Sequence, residues 1–122
     1  MARIKVDKTR EHRIEMEVVV DAYNDSERAM GWYCYLEDKI KPPFSAKCTQ
    51  RRAISPLKIG QVVLVLGMAP DDECEAEMFV MIEYNEDELA VPLAQLDAAS
   101  PDQQTQEAIA DWHYWLGRGY EF

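Results

Sequence analysis

The chain has 122 residues, of which 48% are hydrophobic, and this is enough to bury one core, so we expect a single domain over residues 1–122. Aspartate and glutamate total 23 against 13 lysines and arginines, a net charge of −10 that opposes binding to nucleic acid. With no apolar run long enough to span a membrane and none typical of a secretory signal near the N-terminus, we expect a cytoplasmic protein with no membrane partner. We also expect a monomer.

The first element, at residues 9–23, fits two patterns. Ile14, Met16 and Val18 alternate with acidic residues, as in a half-buried strand, whereas Ile14, Val18 and Ala22 have helical spacing. We favour a helix here. The next element is clearer, because Asn24-Asp25-Ser26 offers capping side chains and apolar residues then recur at helical steps. We predict a helix over residues 26–40, ended by Pro42-Pro43.

The middle of the chain has the pattern of short strands. Four β-prone runs, at residues 44–49, 62–66, 78–84 and 89–93, are separated by turn residues. Four or five short strands in about fifty residues favour a small SH3-like antiparallel β-barrel. Ser100-Pro101 suits the start of a last helix at residues 106–116. The predicted fold class is α+β, with N-terminal helices and a C-terminal helix packed on the barrel.

The three cysteines do not form a recognisable motif. Cys34, Cys48 and Cys74 are an odd number, lie far apart in sequence and include no Cys-x-x-Cys pair. We expect buried, reduced thiols.

The distribution of charge is more informative than its total. Residues 59–117 contain no lysine or arginine but carry thirteen carboxylates. Carboxylates without counter-charges repel one another unless they are splayed into solvent or share a bound cation. The densest group lies at residues 71–77, the acidic loop, and consists of Asp71, Asp72, Glu73, Glu75 and Glu77.

Calcium is the ion that such a loop would suit best. Ca²⁺ takes six to eight oxygen ligands and tolerates irregular geometry, whereas Mg²⁺ demands a stricter octahedron. Glu37 and Asp38 lie near the end of the predicted helix, where carboxylates are mildly unfavourable, and they could share one ion with the loop. The alternative is a solvated acidic loop, with the helix pair balanced by Lys39 and Lys41.

A further acidic group flanks the predicted hairpin turn and could form a second, weaker site or simply be exposed to water. It consists of Glu83, Glu86, Asp87 and Glu88. No EF-hand loop occurs in the sequence.

We find no pattern of an enzyme. His113 and Asp111 are adjacent to tryptophans, but the usual nucleophile, phosphate-binding and zinc-protease motifs are absent from the sequence. We therefore expect a binding protein, with a structural His113. An acidic SH3-like interaction module that recognises a basic protein partner, without an obligatory metal, is the alternative function.

Several strings carry a resemblance to a known family. They are Gly31-Trp32-Tyr33-x-Tyr35-Leu36-Glu37-Asp38, Phe44-x-Ala46-Lys47-Cys48, Ser55-Pro56-Leu57-Lys58-x-Gly60, Gly67-Met68-Ala69-Pro70 with Cys74 and Glu77-Met78, Leu89-Ala90-Val91-Pro92-Leu93, and Asp111-Trp112-His113-Tyr114-Trp115. In this order they resemble the CcbP family of small acidic calcium-binding proteins known from cyanobacteria.

This resemblance implies a bacterial Ca²⁺-binding protein outside the EF-hand class that buffers or sequesters intracellular Ca²⁺. Glu37 and Asp38 match the acids after the aromatic string, the start of the acidic loop matches the acidic turn after Gly-Met-Ala-Pro, and Glu77 matches the acid before methionine. The hypothetical ligand set is Glu37, Asp38, Asp71, Asp72, Glu73, Glu75 and Glu77.

Overall fold

The computed structural model describes residues 5–99 and 102–120, and over these residues the α+β class is confirmed. The elements in chain order are α1 (Lys8–Arg13), continued by a π-helical turn (Ile14–Val18), α2 (Asp25–Lys39), β1 (Phe44–Cys48), β2 (Val62–Met68), a 3-10 turn (Asp71–Cys74), β3 (Phe79–Tyr84), β4 (Asp87–Pro92), a second 3-10 turn (Leu93–Gln95), β5 (Leu96–Ala98) and α3 (Gln103–Gly117). None of the helices in this part of the chain is long and apolar enough to cross a membrane.

The first segment is helical, as favoured from the sequence, but shorter than predicted. Asp7 caps α1 by accepting a hydrogen bond from the backbone N–H of Arg10 at 3.0 Å. Ile14 and Val18, four residues apart, are buried on one face, while Met16 is 56% exposed. Helical spacing therefore decides which side chains are buried.

Helix α2 begins one residue before the predicted start, because Asn24 caps it by accepting from the backbone N–H of Glu27 at 2.9 Å. Trp32 and Leu36 are fully buried on its inner face. A Cβ atom at Gly31 would collide with the carbonyl oxygen of Val18, so this glycine permits the close approach of the two helical segments.

The strands form one antiparallel sheet in the order β4-β3-β2-β1-β5. All four predicted strands are present, and β5 is a short fifth strand that the sequence patterns did not locate. The sheet is open, so the predicted closed barrel is not confirmed. The edge strand β5 has only three residues and pairs with β1, while β4 pairs with β3 at the opposite edge.

Helix α3 packs its aromatic face into the core. Asp102 caps it by accepting from the backbone N–H of Thr105 at 2.8 Å; the predicted cap, Ser100-Pro101, lies outside the described residues. Trp112 and Trp115 both pack on Trp32, with ring centroids 5.1 and 5.5 Å away. Close aromatic packing of this kind joins α2 to α3.

A buried carboxylate ties the three helices together. Asp111 of α3 is fully buried and accepts hydrogen bonds from Arg10 at 2.7 Å, from Arg13 at 2.7 and 2.8 Å, and from the Tyr35 hydroxyl at 2.7 Å. His113 lies elsewhere, with Nε2 2.6 Å from the carbonyl oxygen of Leu96. Asp111 and His113 therefore have different hydrogen-bond partners.

The cysteine prediction is wrong at one position. Cys48 and Cys74 are buried free thiols, but Cys34 is exposed. It lies on the outward face of α2, between the turns that bury Trp32 and Leu36.

Candidate functional site

Helix α2 and the 3-10 turn Asp71–Cys74 form the walls of a cleft of about 210 Å³. The helix contributes one face, because residues three or four apart lie above one another. The lining residues are Ser26, Ala29, Met30, Tyr33, Asp71, Asp72, Cys74 and Glu75. The fold thus brings three acids of the acidic loop against the helix that carries Glu37.

The acidic loop is held from inside by backbone and thiol contacts. The backbone N–H of Ala69 donates to the Phe79 carbonyl at 3.1 Å, and the N–H of Glu73 donates to the Pro70 carbonyl at 2.9 Å. Cys74 is buried, and its Sγ accepts from the N–H of Phe79 at 3.3 Å. With the thiol directed inward, the neighbouring Asp72 carboxylate remains exposed.

The carboxylates around Cys74 affect the pKa of its thiol. Burial raises the pKa of Cys74, and the negative charges of Glu73, Asp71 and Asp72 raise it further. A neutral, buried thiol is a poor partner for Ca²⁺, which prefers oxygen. Cys74 therefore shapes the cleft without being a candidate ligand.

The phenol of Tyr33 is affected by one acid of α2 and one acid of the acidic loop. Burial, and then the charge of Glu37, raise the pKa of Tyr33 to about 12; hydrogen bonding to Glu37 and the charge of Asp71 add to the shift. Glu37 and Asp71 are distant in sequence, yet both are close enough to influence one phenol. Tyr33 was not predicted as a site residue, although its position four residues before Glu37 places both on one helix face.

The acids in the cleft and on its walls have no cationic partner within the described residues. Glu37, Asp71, Asp72, Glu73 and Glu75 are all exposed, and no ion pair to any of them forms in this part of the chain. Across residues 5–99 and 102–120, no three histidine, cysteine, aspartate or glutamate side chains converge closely enough to hold a metal ion. Three of the five carboxylates line one cleft, but they do not form a finished coordination shell.

Two of the hypothetical ligands point elsewhere. Asp38 lines a separate cleft on the other side of α2, with Glu17 and Cys34, and its carboxylate is 3.8 Å from the Lys39 ammonium. Glu77 is half-buried, and its carboxylate accepts a hydrogen bond from Arg52 Nη1 at 2.9 Å. Asp38 and Glu77 are therefore directed away from the cleft, which Asp71, Asp72 and Glu75 line, while Glu37 and Glu73 lie on the two elements that form its walls.

The acids of the hairpin form a separate group at the end of β3 and β4. Asn85 and Glu86 make the turn with positive φ angles of 50° and 66°. Glu83 and Glu88 are directly opposite each other in the ladder, and both are exposed, as are Glu86 and Asp87. Like charges at opposed positions destabilise a hairpin slightly.

Comparison with known proteins identifies the family. A family model described as "Calcium binding", that of CcbP, matches residues 12–116. The chain belongs to the CcbP family of calcium-binding proteins. The resemblance seen in the sequence strings is thereby confirmed, as is Ca²⁺ as the ion that corresponds to this family.

Two solved structures resemble this CcbP-family chain over its whole length. One is described as "The crystal structure of Anabaena CcbP", with 48% sequence identity, complete coverage of both chains and a TM-score of 0.88. The other is described as "Calcium binding protein in the calcium-binding form", with 47% identity, complete coverage of both chains and a TM-score of 0.86. A search of curated proteins gave no match.

Proposed function

We propose that this CcbP-family protein is an intracellular Ca²⁺ buffer whose principal site is the cleft between α2 and the acidic loop. The observation that carries the proposal is that three acids of the acidic loop line one cleft against α2 and that none of them has an ion-pair partner in the described chain; Glu37 and Asp71 also both raise the pKa of Tyr33 on its wall. Asp72 and Glu75 line the same cleft. Together they offer carboxylate oxygens to a hard divalent ion.

The chemistry of these groups suits Ca²⁺ better than other ions. Carboxylates from a helix and a turn, supplemented by carbonyl oxygens and water, match its preference for six to eight oxygen ligands in irregular geometry. Bound Ca²⁺ would relieve the mutual repulsion of Asp71, Asp72 and Glu37. Glu73 flanks this set on the turn and could contribute an outer carboxylate.

An unfinished coordination shell favours a buffer of moderate affinity. The exposed side chains of Glu37, Asp72 and Glu75 must be ordered when the ion binds, which costs up to about 2 kcal/mol for a long side chain. We expect a dissociation constant on the order of 10⁻⁷ to 10⁻⁵ M, the range of reversible Ca²⁺ sites.

Isothermal calorimetry on chelator-stripped protein tests the principal site. Glu37→Gln and Asp72→Asn should each weaken Ca²⁺ binding about tenfold, because each removes one charged ligand. Glu27→Gln is the matched control: it removes the same charge from the same helix, but it is Glu37, and not Glu27, that hydrogen-bonds to Tyr33 on the wall of the cleft. Absence of saturable binding at millimolar Ca²⁺ would overturn the proposal.

Asp38→Asn tests the other face of α2. A loss of affinity equal to that of Asp72→Asn would mean that the end of the helix turns Asp38 towards the ion. A separate, weaker binding step that disappears only in Asp38→Asn would instead place a second ion near Asp38 and Glu17, which line one cleft. The exposed hairpin acids are the other candidate for a weak site.

We also propose that the protein acts as a monomer in the cytoplasm. A net charge of −10 favours mutual repulsion between copies and solubility. Light scattering with Ca²⁺ and with chelator should give one monomer mass in both conditions. A dimer mass that depends on Ca²⁺ would contradict this part of the proposal.

A further inference from the structure

Arg52 and Glu77 form an ion pair at the end of the acidic loop that lies away from the cleft. Both terminal nitrogens of the guanidinium donate to the two carboxylate oxygens, with Nη1 2.9 Å from Oε1. The side chains are 29% and 22% exposed. A planar guanidinium that engages both oxygens fixes the orientation of a carboxylate more strictly than a single contact does.

The two partners belong to segments that are anchored in the core. Arg52 lies between β1 and β2, where its carbonyl accepts from the N–H of Ser55 at 3.1 Å, shortly before the fully buried Leu57. Glu77 immediately precedes Met78, which is also fully buried. The ion pair therefore joins the end of the acidic loop to the segment between β1 and β2.

This contact completes the attachment of the acidic loop. The first part of the loop is held by the Ala69 to Phe79 backbone bond and by the buried Cys74 thiol. The last part is held by Glu77 through Arg52. Between these attachments, Asp71 and Asp72 are exposed and line the cleft.

We propose that Glu77 is a positioning residue and not a Ca²⁺ ligand: with Arg52 it fixes the end of the acidic loop so that Asp71 and Asp72 face Glu37. This inference rests on the proposed Ca²⁺ site in the cleft. Residues that orient the ligands of a metal ion affect its affinity without touching it. Loss of either partner should therefore weaken Ca²⁺ binding by about tenfold.

The alternative role for Glu77 predicts the opposite sign in one variant. If Glu77 were a ligand, Arg52 would be a competing cation, and Arg52→Gln would strengthen Ca²⁺ binding while Glu77→Gln weakened it. If the pair positions the loop, both variants weaken binding by the same factor, and the double variant is no worse than either single one. The charge-swapped variant, Arg52→Glu with Glu77→Arg, should recover affinity to within threefold of the parent.

Arg51→Gln is the matched control for the loss of positive charge. Arg51 is the exposed neighbour of Arg52, and no ion pair to it forms within residues 5–99 and 102–120. Its replacement should leave Ca²⁺ affinity unchanged or slightly raised, because one repelling charge is removed. A rise in affinity for Arg52→Gln well above that of Arg51→Gln would overturn the proposal.

Hydrogen exchange of the loop amides without Ca²⁺ separates failure of this inference from failure of the proposed site. The amides of residues 72–76 should exchange faster in Arg52→Gln and Glu77→Gln than in Arg51→Gln, since the loop end is released. If the parent bound no Ca²⁺, the proposed function would fail, whereas faster exchange would still support the anchoring role. Unchanged exchange in both variants would refute that role even if Ca²⁺ binds.

Discussion

Asp111 on α3 and Asp72 in the acidic loop carry the same carboxylate group, yet they differ in burial and in their cationic partners. Asp111 is fully buried and accepts hydrogen bonds from Arg10, Arg13 and Tyr35. Asp72 is exposed, and no cation of the described chain pairs with it. In the first case the protein supplies the counter-charge, and in the second it leaves the carboxylate open to a cation from solution.

The difference shows how one acidic chain can separate structure from ligand binding. A buried charge requires partners within the fold, because removing one partner leaves an uncompensated charge in a poorly solvated place. An exposed carboxylate can remain unpaired, since water screens it. Arginines therefore pair with the buried Asp111 and with the half-buried Glu77 at the end of the acidic loop. The exposed acids in the middle of that loop have no such partner in the described chain.

Replacing Asp111 should have the largest effect on stability. Asp111→Asn removes the charge that Arg10 and Arg13 share, and we expect the free energy of unfolding to fall by about 3–5 kcal/mol. Urea denaturation followed by far-UV circular dichroism measures the change. Asp97→Asn, at a position 65% exposed, is the control and should stay within about 0.5 kcal/mol of the parent. A loss below 1 kcal/mol for Asp111→Asn would mean that the buried network is not the main link between the helices.

Binding of Ca²⁺ should raise the free energy of unfolding, because the ion binds to acids that have no ion-pair partner in the described chain. At a free concentration one hundred times the dissociation constant, the ion should stabilise the protein by about 2.7 kcal/mol. Asp72→Asn, with about tenfold weaker binding, should lose about 1.4 kcal/mol of that gain. Without Ca²⁺ the same variant should be as stable as the parent or slightly more so, because one repulsive charge is gone.

Thermal denaturation with Ca²⁺ and with chelator measures both parts of this prediction. Asp111→Asn provides the contrast, since its instability should persist at saturating Ca²⁺. If Asp72→Asn were less stable than the parent in chelator, the acidic loop would have a structural role that the exposed carboxylate does not suggest.

Much of the fold follows from periodicity and local capping. The helical spacing of Ile14 and Val18 and the run after Asn24 predict both N-terminal helical segments, and alternation predicts four strands. Whether the sheet closes was not predictable, because short strands separated by turns occur in open antiparallel sheets as well as in barrels. Within the described residues the short β5 strand (Leu96–Ala98) pairs with β1 alone, and nothing in the alternation of residues 89–99 fixes its length.

The candidate site was predictable where it depends on composition, but not where it depends on contacts between distant residues. The charge run identified Asp71 and Asp72, and helix-end chemistry drew attention to Glu37. Tyr33 could not be singled out from the sequence, since only the fold shows acids from two elements acting on it. Glu77 looked like its acidic neighbours, because Arg52, its partner, lies in another segment.

Alkaline pH should lower the stability of the folded protein, because two tyrosines lose their protons. Burial raises the pKa of Tyr33 to about 12, and the pKa of Tyr35 is also raised, first by burial and then by its hydrogen bond to Asp111. The folded state thus retains these protons more strongly than the unfolded state, whose tyrosine pKa is about 10. Their contribution to stability is complete below pH 10 and decreases as pH rises towards 12.

A pH series of thermal denaturation tests this prediction against two variants. Tyr33→Phe should make the loss of stability between pH 9 and 12 less steep, because one proton-linked group is removed. Tyr23→Phe, at a position 83% exposed, should leave the slope unchanged. Equal slopes in all three proteins would show that Tyr33 does not contribute to alkaline unfolding.

The smallest effect is expected at the hairpin, where Glu83 and Glu88 face each other in exposed positions of β3 and β4. Glu88→Gln removes this like-charge pair and should raise stability by about 0.2–1 kcal/mol in chelator at low salt. The gain should shrink at 1 M salt, where screening reaches within about 3 Å. Urea denaturation at the two salt concentrations measures it, and calorimetry on the same variant should show unchanged affinity at the cleft. If Glu88→Gln also removes a weak millimolar Ca²⁺-binding step, a second ion binds between these two glutamates. A fall in stability would contradict the prediction that their repulsion destabilises the hairpin.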